Sequence, residues 1–137
     1  MQTVLAYLMF IISGIALQAQ NTIEVTLTDF KSNDGSVRVG LYDKEGDFLD
    51  LEFRTLKSKI SDKKAVVTFT DVPDGIYAIS CYHYEDDNGE LNMILGMIPS
   101  ESYGCSNGAR GFFGPPKWED AKFDISGGEK RKFDIRL

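Results

Sequence analysis

The chain has 137 residues, room for one domain with its own core, and its 42% hydrophobic and 26% charged content is that of an ordinary soluble domain. With 15 Lys and Arg against 21 Asp and Glu, the net charge of −6 argues against a nucleic-acid binder with a basic face and against simple docking to anionic lipid. The single histidine, His83, rules out a His-rich metalloenzyme, and the cysteines Cys81 and Cys105 lack the CxxC spacing of a redox motif.

The first residues stand apart. Val4 to Ile15 is apolar except for Ser13 and Gly14, and no charged side chain precedes Glu24. A run of about a dozen apolar residues followed by small and polar ones reads as a signal peptide, and membrane spans need about 20. The expected organisation is a signal peptide over 1–19, cleaved after Ala19, and a domain over 20–137 with no integral membrane segment. The domain is then periplasmic, secreted or displayed at the cell surface. Export makes a Cys81–Cys105 disulfide chemically possible; the alternative is a pair of small buried thiols.

From residue 22 onward the pattern is one of short strands and turns. Ile23, Val25 and Leu27 alternate with Thr22, Glu24, Thr26 and Thr28 at period two. Ser32-Asn33-Asp34-Gly35 reads as a hairpin turn of the Asp-Gly kind, leading into a second alternation at Val37, Val39 and Leu41. A loop over 43–50 precedes a weaker strand at 53–60, and Asp62-Lys63-Lys64 turns the chain into a strand at 65–70. Asp71-Val72-Pro73-Asp74-Gly75 is a strong turn signal, with Gly75 expected at positive φ. The long apolar strand 76–84 follows, and strands at 121–125 and 131–137 flank Ser126-Gly127-Gly128-Glu129. About seven strands at this spacing predict an all-β fold, a single antiparallel β-sandwich.

Residues 85–120 break the rhythm. The segment is rich in glycine and contains Pro99, Pro115, Pro116, the only tryptophan, Trp118, and the pair Phe112-Phe113. A structureless loop of this length is unusual in a compact domain. Its aromatics favour burial, so it reads as an ordered excursion packed on the sandwich. Helical turns are expected near 99–103 and 116–121.

Here the chain resembles a known family. The run Gly96-Met97-Ile98-Pro99, Glu101, Tyr103-Gly104-Cys105-Ser106-Asn107, Ala109-Arg110-Gly111, Phe113-Gly114-Pro115-Pro116 and Trp118-Glu119-Asp120-Ala121 is similar to the bacterial domain-of-unknown-function family 2141. Leu41-Tyr42, Val72-Pro73, Gly75-Ile76-Tyr77-Ala78 and His83 fit it as well, so the resemblance covers residues 22–137. It implies a small exported protein with an immunoglobulin-like or transthyretin-like sandwich and no established activity. The Pro73-Asp74-Gly75-Ile76-Tyr77 turn also resembles the Pro-Gly-x-Tyr turn of transthyretin-like modules. Members commonly carry acidic residues where this chain has Tyr84 and Asn92, in a loop resembling a calcium-binding turn, so two candidate ligands are missing.

The chemistry-bearing groups suggest three readings. The leading one is a non-enzymatic binding or structural module working through the 85–120 region. Its candidate ligand residues are Tyr103, Asn107, Arg110, Phe113 and Trp118, and its partner is a protein or a glycan. Aromatics on a loop can stack on sugars or anchor a partner, and an arginine among glycines can clamp an anion. The second reading is a calcium-responsive module in which Asp86, Asp87, Asn88 and Glu90 supply oxygens around a Gly89 bend; the EF-hand register fails at Tyr84 and Leu95. The third is an enzyme using His83, which strand alternation places on one face with Cys81 and Glu85. The bland alternative makes His83 a strand-end residue bonding the following loop. No cofactor is expected apart from calcium.

Overall fold

The computed structural model describes residues 21–84, 93–94, 98–99, 103–110 and 114–137. In order these form β1 (Asn21–Thr28), β2 (Ser36–Tyr42), a 3₁₀ turn (Glu45–Asp47), β3 (Arg54–Lys59), β4 (Ala65–Val72) and β5 (Gly75–Tyr84). The short β6 (Met93–Ile94) and β7 (Ile98–Pro99), β8 (Tyr103–Cys105) and a second 3₁₀ turn (Ser106–Gly108) come next. The single turn of helix α1 (Trp118–Ala121), β9 (Phe123–Ile125) and β10 (Lys130–Arg136) complete the fold. The segment 1–19, expected to be a signal peptide, and the residues expected around 100–102 to be helical lie outside the described residues.

The domain is an all-β sandwich of two main sheets. One has the order β10-β1-β4; the other runs β3-β2-β5, with β8 and β9 both pairing with β5. Period-two alternation sends Ile23, Val25 and Leu27 of β1, Val37, Val39 and Leu41 of β2, and Tyr77, Ile79 and Cys81 of β5 into one shared core. Each fully buried aliphatic side chain there contributes roughly 1.5–3 kcal/mol. Strand β5 is buried on both faces, with Ala78 and Ser80 as inaccessible as Ile79 and Cys81. That explains its near-continuous apolar sequence.

Four expectations about local geometry are corrected. The Asp-Gly turn at 32–35 does not close a hairpin: β1 pairs with β10 and β4, whereas β2 pairs with β3 and β5 in the other sheet. A glycine at positive φ (Gly35, 68°) makes the bend, but the chain then crosses between sheets. The β1–β10 pairing is parallel, against an otherwise antiparallel pattern. In the 71–75 turn the left-handed residue is Asp71 (φ 53°), and Gly75 stays at negative φ. Pro99 belongs to a two-stranded ribbon with Met93–Ile94 and not to a helical turn.

Two locks close the sandwich. The Tyr77 hydroxyl donates to the Pro73 carbonyl at 2.7 Å, fixing the corner between β4 and β5 as tyrosine corners do in other sandwiches. The fully buried Asn21 donates to the Val72 carbonyl (2.9 Å) and to Asp74 Oδ1 (2.7 Å), and accepts the Glu129 amide (2.9 Å). One side chain thereby joins the start of β1 to the turn before β5 and the turn before β10. At the opposite seam Gly104 lies so close to β10 that an added Cβ would sit 2.5 Å from Ile135 Cγ2 and 3.2 Å from the Arg136 carbonyl.

Candidate functional site

The edge of β5 is covered by a strand cut in two. β8 pairs Tyr103, Gly104 and Cys105 with Tyr82, Cys81 and Ser80; β9 pairs Phe123, Asp124 and Ile125 with Tyr77, Ile76 and Gly75. Between the halves, at Ala78 and Ile79, the chain leaves the sheet and makes the excursion 106–122. The amide of Ile79 would be stranded by this break. It donates instead to Ser106 Oγ at 3.0 Å, and the same hydroxyl donates to the Ala121 carbonyl at 2.6 Å. Ser106 is completely buried, so these bonds form where unmade ones are costly.

The first residues of the excursion form a tight bend. Asn107 (φ 59°) and Gly108 (φ 65°) are both left-handed and the Ala109 amide closes on the Ser106 carbonyl at 3.2 Å, the geometry that Asn-Gly favours. The Asn107 side chain donates to the carbonyls of Ala121 (3.1 Å) and Lys122 (2.8 Å). The two ends of the excursion are therefore tied together by adjacent side chains.

Beneath it lies a second small core on the face of β5 away from the sandwich interior. Ala78, Cys105, Ala109 and Ala121 are buried there, with Phe48 and Trp118 packed against them. The rings form a relay. Tyr42 meets Phe48 edge-on at 5.2 Å, and Phe48 meets Trp118 edge-on at 5.9 Å. Beside Phe48, Leu49 is held at φ 66°, a strained conformation for a side chain of that size.

Burial sets the ionisation of this region. It pushes the Tyr42 hydroxyl from 10.0 to about 12, although the bond to Ser80 Oγ (3.0 Å) pulls the other way. The Cys105 thiol is driven from 9.0 to about 12 by burial, partly opposed by the charge of Arg110. Burial also raises Cys81, which donates to the Gly104 carbonyl at 3.3 Å. Both thiols are free. Cys105 pairs with Ser80 and Cys81 with Gly104, so they point to opposite faces of the sheet and a disulfide cannot form without rearrangement.

Of the residues singled out from the sequence, Tyr103, Asn107, Arg110 and Trp118 fall on the excursion or the strand leading into it. Tyr103 is half-buried opposite Tyr82. Arg110 is exposed, and among the described residues no ion pair joins it. Trp118 is half-buried against Phe48. Asn107 is exposed, but its amide is committed to holding the chain. Phe113 and the proposed calcium ligands Asp86, Asp87, Asn88 and Glu90 lie outside the described residues. Among the described residues no group of three or more His, Cys, Asp and Glu is placed to hold a metal. No helix among them is long and apolar enough to cross a membrane.

His83 does share a face with Cys81, but it is fully buried, edge-on to Phe30 at 5.1 Å. Its Nε2 donates to the Asp34 carbonyl at 2.7 Å. It thus ties β5 to the 32–35 turn ahead of β2; the loop that follows His83, which the bland alternative has it bonding, lies outside the described residues. Sequence reasoning did not single out Ser106 or Phe48. A serine next to a cysteine carries no signal of its own, and Phe48 sits in a polar loop whose partner is far along the chain.

A family model described as an uncharacterized protein conserved in bacteria (DUF2141) matches residues 25–133. No curated protein and no solved structure matches the chain.

Proposed function

The chain belongs to the bacterial family DUF2141, and we propose that it works as an exported, non-enzymatic binding module whose contact surface is the excursion 106–122 with Tyr103 at its approach. The observation that carries this reading is the way the excursion is held. A sheet edge is broken to admit it, and two side chains, Ser106 and Asn107, tie its ends with buried or partly buried hydrogen bonds. A loop fixed on a rigid sheet can present groups at little ordering cost, which is the usual division of labour between scaffold and binding loop. The groups presented are the exposed Arg110 guanidinium and the half-buried Trp118 ring. An arginine and an aromatic are also the residue types that anchor interfaces most often.

The test is alanine substitution at Arg110 and at Trp118, with glycan-array and pull-down readouts beside thermal melts. Arg110→Ala is the cleaner variant, because no described ion pair depends on it. The expected result is capture of a partner by the wild type and at least a tenfold weaker capture by Arg110→Ala at an unchanged melting temperature. A wild type that captures nothing, or variants that capture as well as the wild type, would overturn the reading.

A further inference from the structure

Among the described residues four large apolar side chains are exposed, and three of them stand at one end of the sandwich: Leu51 (64% exposed), Phe53 (42%) and Ile76 (46%). The fourth, Val66, lies toward the far end of β4, opposite Thr26 of β1. A hydrophobic side chain exposed singly needs no explanation, but a group of them marks an interaction surface. This end is also the one that carries the excursion. Phe48 and Trp118 meet at 5.9 Å and join the 43–53 loop to it. Ile76 lies two residues from Ala78 on the same face of β5, and Ala78 belongs to the small core beneath the excursion.

Backbone hydrogen bonds hold these side chains out. The amides of Asp50 and Leu51 both donate to the Asp47 carbonyl at 2.9 Å, and the Phe53 amide donates to the Leu41 carbonyl at 2.8 Å. Leu49, at φ 66°, turns the chain between these bonds. Glu52 is laid on β2, its Cγ 2.8 Å from where a Cβ on Gly40 would stand. Its neighbour Leu51 is left in solvent. The Phe53 ring reaches Tyr77 at 6.1 Å and still stays exposed. The same loop carries Asp43, Glu45, Asp47, Asp50 and Glu52 against Lys44 alone. Asp124 of β9 stands opposite Ile76 in the register. The excursion itself is close to balanced, with Arg110, Lys117 and Lys122 against Glu119 and Asp120, and Lys122 is paired with Glu119 at 2.9 Å.

Apolar side chains set among carboxylates restrict what can cover them. The carboxylates repel the headgroups of anionic lipid and the phosphates of a nucleic acid. Two of the three apolar side chains are aliphatic and offer no ring on which a sugar would stack. A polypeptide that brings apolar and cationic side chains together satisfies both features, since complementary charge sets register and suppresses wrong partners. We propose that the partner of the excursion surface is a protein, bound through a segment that places aliphatic side chains on Leu51, Phe53 and Ile76 and lysine or arginine beside Glu45, Asp50 and Asp124. This rests on the reading of the chain as a binding module and names the class of its partner.

The experiment is calorimetric titration of the protein with three synthetic peptides of one pattern: leucine with lysine, leucine with glutamate, and serine with lysine. The expected result is binding of the leucine–lysine peptide, at least tenfold tighter than either of the others and weaker as salt rises. Leu51→Ser and Glu45→Gln/Asp50→Asn should each weaken it at least tenfold at an unchanged melting temperature, and Val66→Ser, at the far end, should leave it unchanged. Equal binding of the leucine–glutamate or serine–lysine peptide, no binding, or loss in Val66→Ser alone would each overturn the proposal. Anionic phosphatidylglycerol vesicles captured as well as the peptide would move the surface to a membrane and overturn it. Self-association in sedimentation that Leu51→Ser abolishes would give the surface to a second copy of the chain and overturn it too. The module reading fails by a different result, an Arg110→Ala variant that captures partners as well as the wild type.

Discussion

Ser106 takes the place of the missing ladder partner of Ile79: its hydroxyl accepts the Ile79 amide at 3.0 Å where the edge strand of the sheet has been cut. The proton of the same hydroxyl goes to the Ala121 carbonyl at 2.6 Å, so one buried oxygen closes both the sheet and the neck of the excursion. Everything proposed for the excursion depends on this closure, since a loop without it would have to be ordered at the expense of binding energy.

Ser106→Ala should therefore destabilise the domain by about 2–3 kcal/mol, the cost of leaving a buried amide and a buried carbonyl unpaired. Urea unfolding followed by fluorescence measures it directly, because Trp118 is the only tryptophan and packs on the excursion's own core. The signal of the folded variant should also shift as the Trp118–Phe48 contact loosens.

Asn21 predicts a graded response. Asn21→Ala removes three hydrogen bonds at a fully buried position and should cost about 2 kcal/mol. Asn21→Asp should cost more at neutral pH, because it places a carboxylate against Asp74 Oδ1 and the Val72 carbonyl, which now receive two donated bonds. Chemical denaturation at pH 7 and at pH 4 separates the two variants, with the aspartate variant recovering as its carboxyl is protonated.

Gly104→Ala should destabilise by about 1–3 kcal/mol, since the added methyl meets Ile135 and the Arg136 backbone across the seam. The control is Gly46→Ala, where an added Cβ meets nothing within 4 Å. Thermal melts should show a lowered transition for the first and a change below about 1 kcal/mol for the second.

The pH dependence of stability has a definite sign. Tyr42 titrates at 10.0 when unfolded and at about 12 when folded, and Cys105 rises from 9.0 to about 12. In both cases the folded state favours the protonated form. The stabilisation is complete below pH 9 and is lost progressively as the pH climbs through 9 and 10 toward 12. Denaturant midpoints at pH 8, 10 and 11 should fall in that order, and Tyr42→Phe should remove its share of the decline.

The sandwich was legible in the sequence where burial is one-sided, as in β1, and where it is complete, as in β5. In the first case the apolar residues alternate, and in the second they run on. Pairing was less legible. The Asp34-Gly35 signal announces a bend but does not encode which sheet the chain enters afterward, so the crossover looked like a hairpin. β8 left no trace because Tyr103-Gly104-Cys105 is too short to alternate, and its glycine answers to a contact with β10. For the excursion, composition pointed to ordered packing and to Trp118, and the helical turn at 118–121 followed. The tie through Ser106 and the stacking on Phe48 rest on contacts between residues distant in the chain, which local pattern does not reveal. Asn107 counts as a candidate ligand group through its place in the 85–120 region, yet its amide is spent on the chain itself.

The claim beneath the account is that the excursion is as fixed as the sheet it interrupts, and amide hydrogen exchange tests it most directly. The amides of Ile79, Ala109, Ala121 and Lys122 each have a partner in or around the excursion. They should exchange with protection comparable to that of the β2–β5 ladder, and all four should lose it together in Ser106→Ala. Exchange of these amides at the rate of an unstructured chain, while the sheet stays protected, would contradict the account.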